Sequence, residues 1–180
     1  MPFTLPDLSN YQNHSDLILL FFAILTVDVA VLFLTRYFPQ ILGTTLNRWY
    51  DRFGLNAVLS DVLIILLGFV IARYVYSWYI KPKMGWNPAL FMGLLVVIQV
   101  IHDLLFYAGV IKPLPVGHNQ MIDVFKQYSN AGWKILVGDA GLMVGSALVA
   151  FVFKAFPTHA VAGWSILVAY ALPYILYTKH

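Results

Sequence analysis

Asp28, Asp61, Asp103 and Asp139 each stand inside a long apolar run. A carboxylate at the centre of a membrane helix costs roughly 2.5–3.5 kcal/mol on insertion scales, so one that persists there is paired, protonated, hydrated or needed. Such a set can bind a proton or a cation, ligate a metal, or fix which helices touch by hydrogen bonds and ion pairs. Partner residues lie close in sequence. Arg36 follows Asp28 by two helical turns, Lys134 precedes Asp139, and His102 adjoins Asp103. Gln99 and Tyr107 stand one turn to either side of Asp103, so both share its face, and Tyr107 is expected to donate to it. Among the pairings this spacing suggests are Asp28 with Arg36, Asp139 with Lys134 and Asp103 with His102.

Metal chemistry fits these residues poorly. Catalytic sites of that kind usually show histidines paired one turn apart. Only His102 falls inside an apolar run, while His14, His118, His159 and His180 fall in loops or at termini. No metal centre and no cofactor are expected. Without cysteine there is no thiol catalysis, no thiolate ligand and no disulfide. No phosphate-binding loop, dinucleotide fingerprint or nucleophile elbow occurs.

The elements that must position these residues follow from composition. The chain is 61% hydrophobic and 11% charged, against about 25% charged in an ordinary soluble domain. That predicts an all-α, polytopic transmembrane bundle forming one integral membrane domain over residues 1–180. Runs of about 20 apolar residues span a bilayer. They predict five spans, at about 17–38, 57–80, 89–111, 134–156 and 160–177. Two connecting segments read as short amphipathic helices lying in the headgroup plane or across the bundle end. In 44–53, Leu46, Trp49, Tyr50 and Phe53 share a face. In 119–129, Met121, Ile122, Phe125 and Tyr128 do the same. Trp49, Trp78, Trp86, Trp133 and Trp164 fall near predicted span ends, as an interfacial aromatic belt would place them.

Call the face holding the N-terminus side one. Alternating spans then place all four aspartates between the midplane and side two, with Asp61 about 6 Å, Asp139 about 7 Å and Asp103 about 12 Å inside that end. Basic residues are more numerous on side two, which favours it as the cytoplasmic face. There is no basic run, so nucleic acid is not an expected partner; the lipid bilayer is. On the fourth span Gly138, Gly141 and Gly145 line one face as helix-packing residues, with internal packing preferred over an oligomer contact. The recurrence of one aspartate per span has no evident flanking similarity, and no internal repeat is read from it.

The stretch Gln99–Gly145 carries His102-Asp103, the turn from Pro113 to Gly117, and Gly138-Asp139. It resembles polytopic membrane proteins of large nucleocytoplasmic DNA viruses of algae, the chlorella-virus type. The resemblance implies a multi-pass protein of the virion's internal membrane, a minor capsid component with other membrane or capsid proteins as partners. It brings no active-site assignment. The expected function is therefore structural and non-enzymatic, linking membrane to shell. A small proton or cation transporter using the intramembrane aspartates stays open beside it, as does an integral membrane enzyme acting on lipid.

Overall fold

The computed structural model describes residues 5–42, 45–129 and 132–179. Within these stretches the side chains of residues 41, 42, 45, 128, 129 and 134 stay undescribed, so the expectations placed on the side chains of Tyr128 and Lys134 lie outside the described residues. Helices are the only regular secondary structure among the described residues: α1 (Asp16–Tyr37), α2 (Pro39–Leu42), α3 (Thr45–Phe53), α4 (Leu55–Val75), α5 (Lys81–Met84), α6 (Pro88–Phe106), α7 (Gln120–Ser129), α8 (Trp133–Ala155) and α9 (Thr158–Leu176). Five continuous stretches are long and apolar enough to cross a bilayer: Asp16–Tyr37, Leu55–Met84, Pro88–Ile111, Ile135–Ala155 and Thr158–Leu176. The protein has the fold and surface of an integral membrane protein. Large apolar side chains such as Leu63, Leu67, Leu105 and Ile166 stand exposed on its outside, where a soluble protein would show charge.

Local sequence explains the helix ends. Asn87 Oδ1 accepts from Leu90 N–H at 3.1 Å, and Pro88 opens α6; the cap satisfies one orphan donor and the proline lacks one. Asn119 caps α7 in the same way, accepting from Met121 and Ile122. Two π-helical turns continue the spans, Tyr76–Ile80 after α4 and Tyr107–Ile111 after α6. Each runs up to a Lys-Pro pair, Lys81-Pro82 and Lys112-Pro113. Proline has no N–H and crowds the carbonyl one turn back, and a widened turn relieves both.

The first four spans close into a ring. α1 packs against α4 and α8, and α6 packs against the same two helices. α9 packs on α1, outside the ring. The core runs through the ring as Ile24, Val62, Ile65, Phe69, Leu95, Met143 and Ala147. α4 and α8 approach across the centre, where Met143 Cε fills the space in front of Gly68.

This ring has a two-part plan, carried by the order of its elements rather than by flanking sequence similarity. The chain runs span, amphipathic helix, glycine, span, and then does so again. Gly54 joins α3 to α4 at φ 53°, ψ −129°, and Gly132 precedes α8 at φ 58°, ψ −130°. Asp61 and Asp139 each stand seven residues beyond their glycine. Four buried positions share a register: Ile65, Gly68, Phe69 and Ala72 on α4 correspond to Met143, Ser146, Ala147 and Ala150 on α8. On the leading spans Asp28 corresponds to Asp103, and the buried Leu20 and Ile24 to Leu95 and Gln99. Exchanging α1 with α6 and α4 with α8 leaves the set of neighbouring pairs in the ring unchanged.

The glycine face of α8 divides. Gly145 is internal, since a Cβ there would touch Val27 at 3.4 Å. Gly138 and Gly141 are exposed, and a Cβ at either would meet nothing within 4 Å, so they do not pack internally. By contrast Gly54 and Gly132 hold a backbone conformation that a Cβ strains. Gly54→Ala and Gly132→Ala should each cost about 1–3 kcal/mol, and Gly138→Ala should change little. Reversible unfolding in nanodiscs checks this; a silent Gly54→Ala would remove the strained-link assignment.

Candidate functional site

The interior polar layer forms where α3 and α7 close the side-two end. α3 lies against α4 and α1 and touches α7. Its apolar face therefore enters the protein: Trp49 is 3% and Tyr50 2% exposed. Trp49 is thus cap interior, and the expectation of an interfacial belt residue is corrected there. The reason is hydrogen bonding. Trp49 Nε1–H donates to Asp61 Oδ2 at 3.0 Å, and the Tyr50 hydroxyl donates to Asp28 Oδ1 at 3.3 Å. Adjacent residues of one short helix thereby bind aspartates on two different spans.

The other two aspartates complete the layer. Asp103 Oδ1 accepts from Gln99 Nε2 at 2.8 Å and lies 3.2 Å from His102 Nδ1. His102 stacks on Phe106, Phe106 meets Phe125 edge-on, and Phe125 contacts Trp49. This aromatic path runs from α6 through α7 and α3 back to the donor on Asp61. Asp28 lies within Coulombic reach of Asp61, and Asp139 within reach of both Asp61 and Asp103. All four aspartates singled out in the sequence therefore form one chain of neighbouring carboxylates. Asp28 is 1% exposed, and its Oδ2 has no hydrogen-bond partner; Asp103 Oδ2 and Ser146 Oγ are likewise buried and unpartnered.

Two expected partnerships are corrected. Arg36 does not pair with Asp28. It sits where α1 leaves the bundle, and its guanidinium donates to Asn47 Oδ1 at 2.9 Å, Asp51 Oδ1 at 2.6 Å and the Leu176 carbonyl at 2.7 Å. Two turns of helix put it too far from Asp28, while α3 and the carbonyl end of α9 come to it. The Tyr107 hydroxyl does not bond the Asp103 carboxylate. The Tyr107 N–H still reaches the Asp103 carbonyl one turn back, but the side chain stands 43% exposed on the outer surface. No group of three or more potential metal-ligating side chains is assembled among the described residues. Chemically, the layer offers carboxylate oxygens held by neutral donors, and among the described residues the His102 imidazole is in contact with Asp103.

A second polar cluster seals side one, and sequence reasoning missed it. Residues 5–15 fold into the bundle mouth, with Leu8 and Ser9 fully buried. Arg73, 1% exposed, donates to the carbonyls of Asn10 and Asn13 and stands 3.5 Å from Asp16. Lys154 donates to Asp16 Oδ2 at 2.7 Å and to the Asp7 carbonyl at 2.6 Å. Lys81 pairs with Asp7, and the Trp86 indole donates to the Leu5 carbonyl. The available signal was charge: Asp7 and Asp16 are the acidic residues of a segment without Lys or Arg, facing three cations at span ends.

Partial burial pushes the Asp7 carboxyl up, but the Lys81 ammonium and the Ser9 donors outweigh it and hold it below the ordinary 3.8. A carboxylate with a lowered folded value contributes stability that is complete above its unfolded value and lost as pH falls through the folded one. Amide hydrogen exchange at Ser9–Tyr11, corrected for intrinsic rate, should therefore stay protected down to about pH 4 and open below it. Opening between pH 7 and 5 would contradict the pairing.

Among known proteins, no family, no curated protein and no solved structure matches this chain.

Proposed function

We propose that this protein is a non-enzymatic, multi-span scaffold of a viral internal membrane, with side two as the face that docks the surrounding protein shell. The observation that carries the reading is the fixed attitude of α3 and α7. Trp49, Tyr50 and Phe125 hold their inner faces on the bundle. Arg48, Asp51 and Arg52 of α3, with Lys112, Val116 and His118 from the loop before α7, are left exposed. A rigid, mixed-charge surface fits a protein contact, because little order has to be imposed when the partner binds. The resemblance of Gln99–Gly145 to virion membrane proteins supplies the setting. Cross-linking with mass spectrometry on native particles should join Lys112, Lys126 and Lys179 to an abundant shell protein. Self-links alone at these lysines would overturn the docking role.

The carboxylate chain favours one second reading, proton or cation passage. Transporters built from parallel repeats keep their ion sites at the repeat interface, and the four aspartates lie between the two parts of this ring. Proteoliposomes would then pass protons or monovalent cations, and Asp28→Asn would lower that flux at least tenfold while keeping the thermal transition. An impermeable wild-type protein, or equal flux from the variant, removes this reading.

A further inference from the structure

At the side-one edge, where the N-terminal segment crosses the π-helical turn, a cleft of about 230 Å³ opens between Asn10, Tyr11, Gln12, Ser77, Trp78 and Lys81. Its wall is built and fixed. The Ser77 hydroxyl donates to the Ser9 carbonyl at 2.5 Å and accepts from Tyr11 N–H at 3.0 Å. Its rim consists of donors. Lys81 is 37% exposed and gives one of its three donors to Asp7. Asn10 and Gln12 are exposed, and among the described residues no bond is made by their side-chain nitrogens or by the indole N–H of Trp78. One ammonium, two amides and an indole around one opening suit an acceptor-rich anion such as a phosphate.

The cleft does not stand alone. Leu67, Ile71, Tyr74 and Trp78 are all exposed and recur along one face of the same span. They form an apolar track from the cleft toward the membrane interior. A free phosphate makes no use of such a track, whereas an acyl chain does. The cleft volume lies below the roughly 300–1,000 Å³ of pockets that take drug-sized molecules, which suits a headgroup whose chains remain outside. Interruptions of α-helix by π turns are frequent at functional sites, and Ser77 and Trp78 belong to one.

We propose that this cleft binds the phosphate of a phospholipid headgroup, with Lys81 as the charged contact, Asn10 and Gln12 as amide donors, and the Leu67–Trp78 face as the bed of one acyl chain. Asp7 competes for Lys81, which makes the assignment separable from a purely structural ion pair. Purified full-length protein in detergent is titrated with dioleoyl phosphatidylglycerol, and retained lipid is read by native mass spectrometry beside the shift in thermal transition. One lipid should be retained by the wild type. Lys81→Gln should weaken retention about tenfold, the loss of one charge-assisted contact. Gln12→Leu, an exposed position, should weaken it severalfold without lowering the lipid-free transition. Asp7→Asn should leave retention unchanged or strengthen it. Weakening by Asp7→Asn equal to that by Lys81→Gln would overturn the proposal, since the ion pair would then only be shaping the mouth. Equal stabilisation by inorganic phosphate at the same concentration would overturn the lipid assignment, and unchanged retention in Gln12→Leu and Lys81→Gln would remove the site.

Discussion

A carboxylate enclosed by apolar helices has to receive hydrogen bonds, and here the donors come from outside the spans. Trp49 and Tyr50 are neighbours on α3, yet they reach Asp61 on α4 and Asp28 on α1. Adjacent residues of a helix point about 100° apart, so α3 can satisfy both acceptors only in one orientation, lying across the end of the bundle. That orientation sets much else. It buries the aromatic face of α3, brings Phe125 of α7 against Trp49, and places Asn47 and Asp51 beside Arg36. Arg36 then reaches the last carbonyls of α9 through Leu176. A helix with a weak apolar surface of its own becomes the clasp that gathers α1, α4, α7 and α9.

The two-part plan explains why four aspartates occur rather than one. Each half contributes a leading span and a trailing span, and each span brings a carboxylate to the same layer. The halves differ in how those carboxylates are satisfied. In the first half the donors come from the amphipathic helix. In the second, Asp103 takes its donors from its own span, through Gln99 and His102, and α7 contributes rings instead. The core differs as well. Gly68 faces Met143 across the ring centre, and Ser146 stands at the position corresponding to Gly68. Small on one side and long on the other keeps the ring filled, as close packing requires.

Much of the architecture was legible in the sequence because the signals were long or periodic. Apolar run length placed all five spans to within a few residues, and the aromatic face of 44–53 and 119–129 marked α3 and α7. Depth arithmetic puts the four aspartates between the midplane and side two, and the fold sets Asp28 near Asp61 and Asp139 near both Asp61 and Asp103. The two-part plan is faint in the sequence because only sparse features mark it: a glycine, an aspartate seven residues on, and a partial burial register visible only in three dimensions. The spacing from Asp28 to Asp61 also differs from that of Asp103 to Asp139, since the connecting loops differ in length. The partner of Arg36 was misread because sequence distance along one helix was taken for proximity, whereas α3 and α9 approach from elsewhere in the chain. The sealed side-one mouth was invisible for another reason. Residues 5–15 have neither hydropathy nor periodicity, and their order comes from long-range bonds to Arg73, Ser77, Lys81 and Lys154.

The two polar clusters of the bundle solve opposite problems. On side one, three cations meet two carboxylates and several backbone carbonyls, and opposite charges neutralise each other within hydrogen-bond distance. Removing Arg73 or Asp16 there leaves a buried charge with fewer partners, so this pair acts as a lock on the N-terminal segment. On side two, acids meet neutral donors and one another. Indole, phenol and amide groups satisfy some oxygens, while Asp28 Oδ2 and Asp103 Oδ2 keep none. Among the described side chains no lysine or arginine bonds to these four carboxylates, whereas three cations meet the carboxylates at the other end of the same helices. The guanidinium nearest in sequence, that of Arg36, is instead engaged by α3 and α9. Acceptor capacity is therefore retained at the layer between the two halves, close beneath the surface formed by α3 and α7. Whatever binds this protein from side two meets a cap whose inner residues are the donors of that layer, so an event on the cap and the state of the carboxylates act on the same two hydrogen bonds.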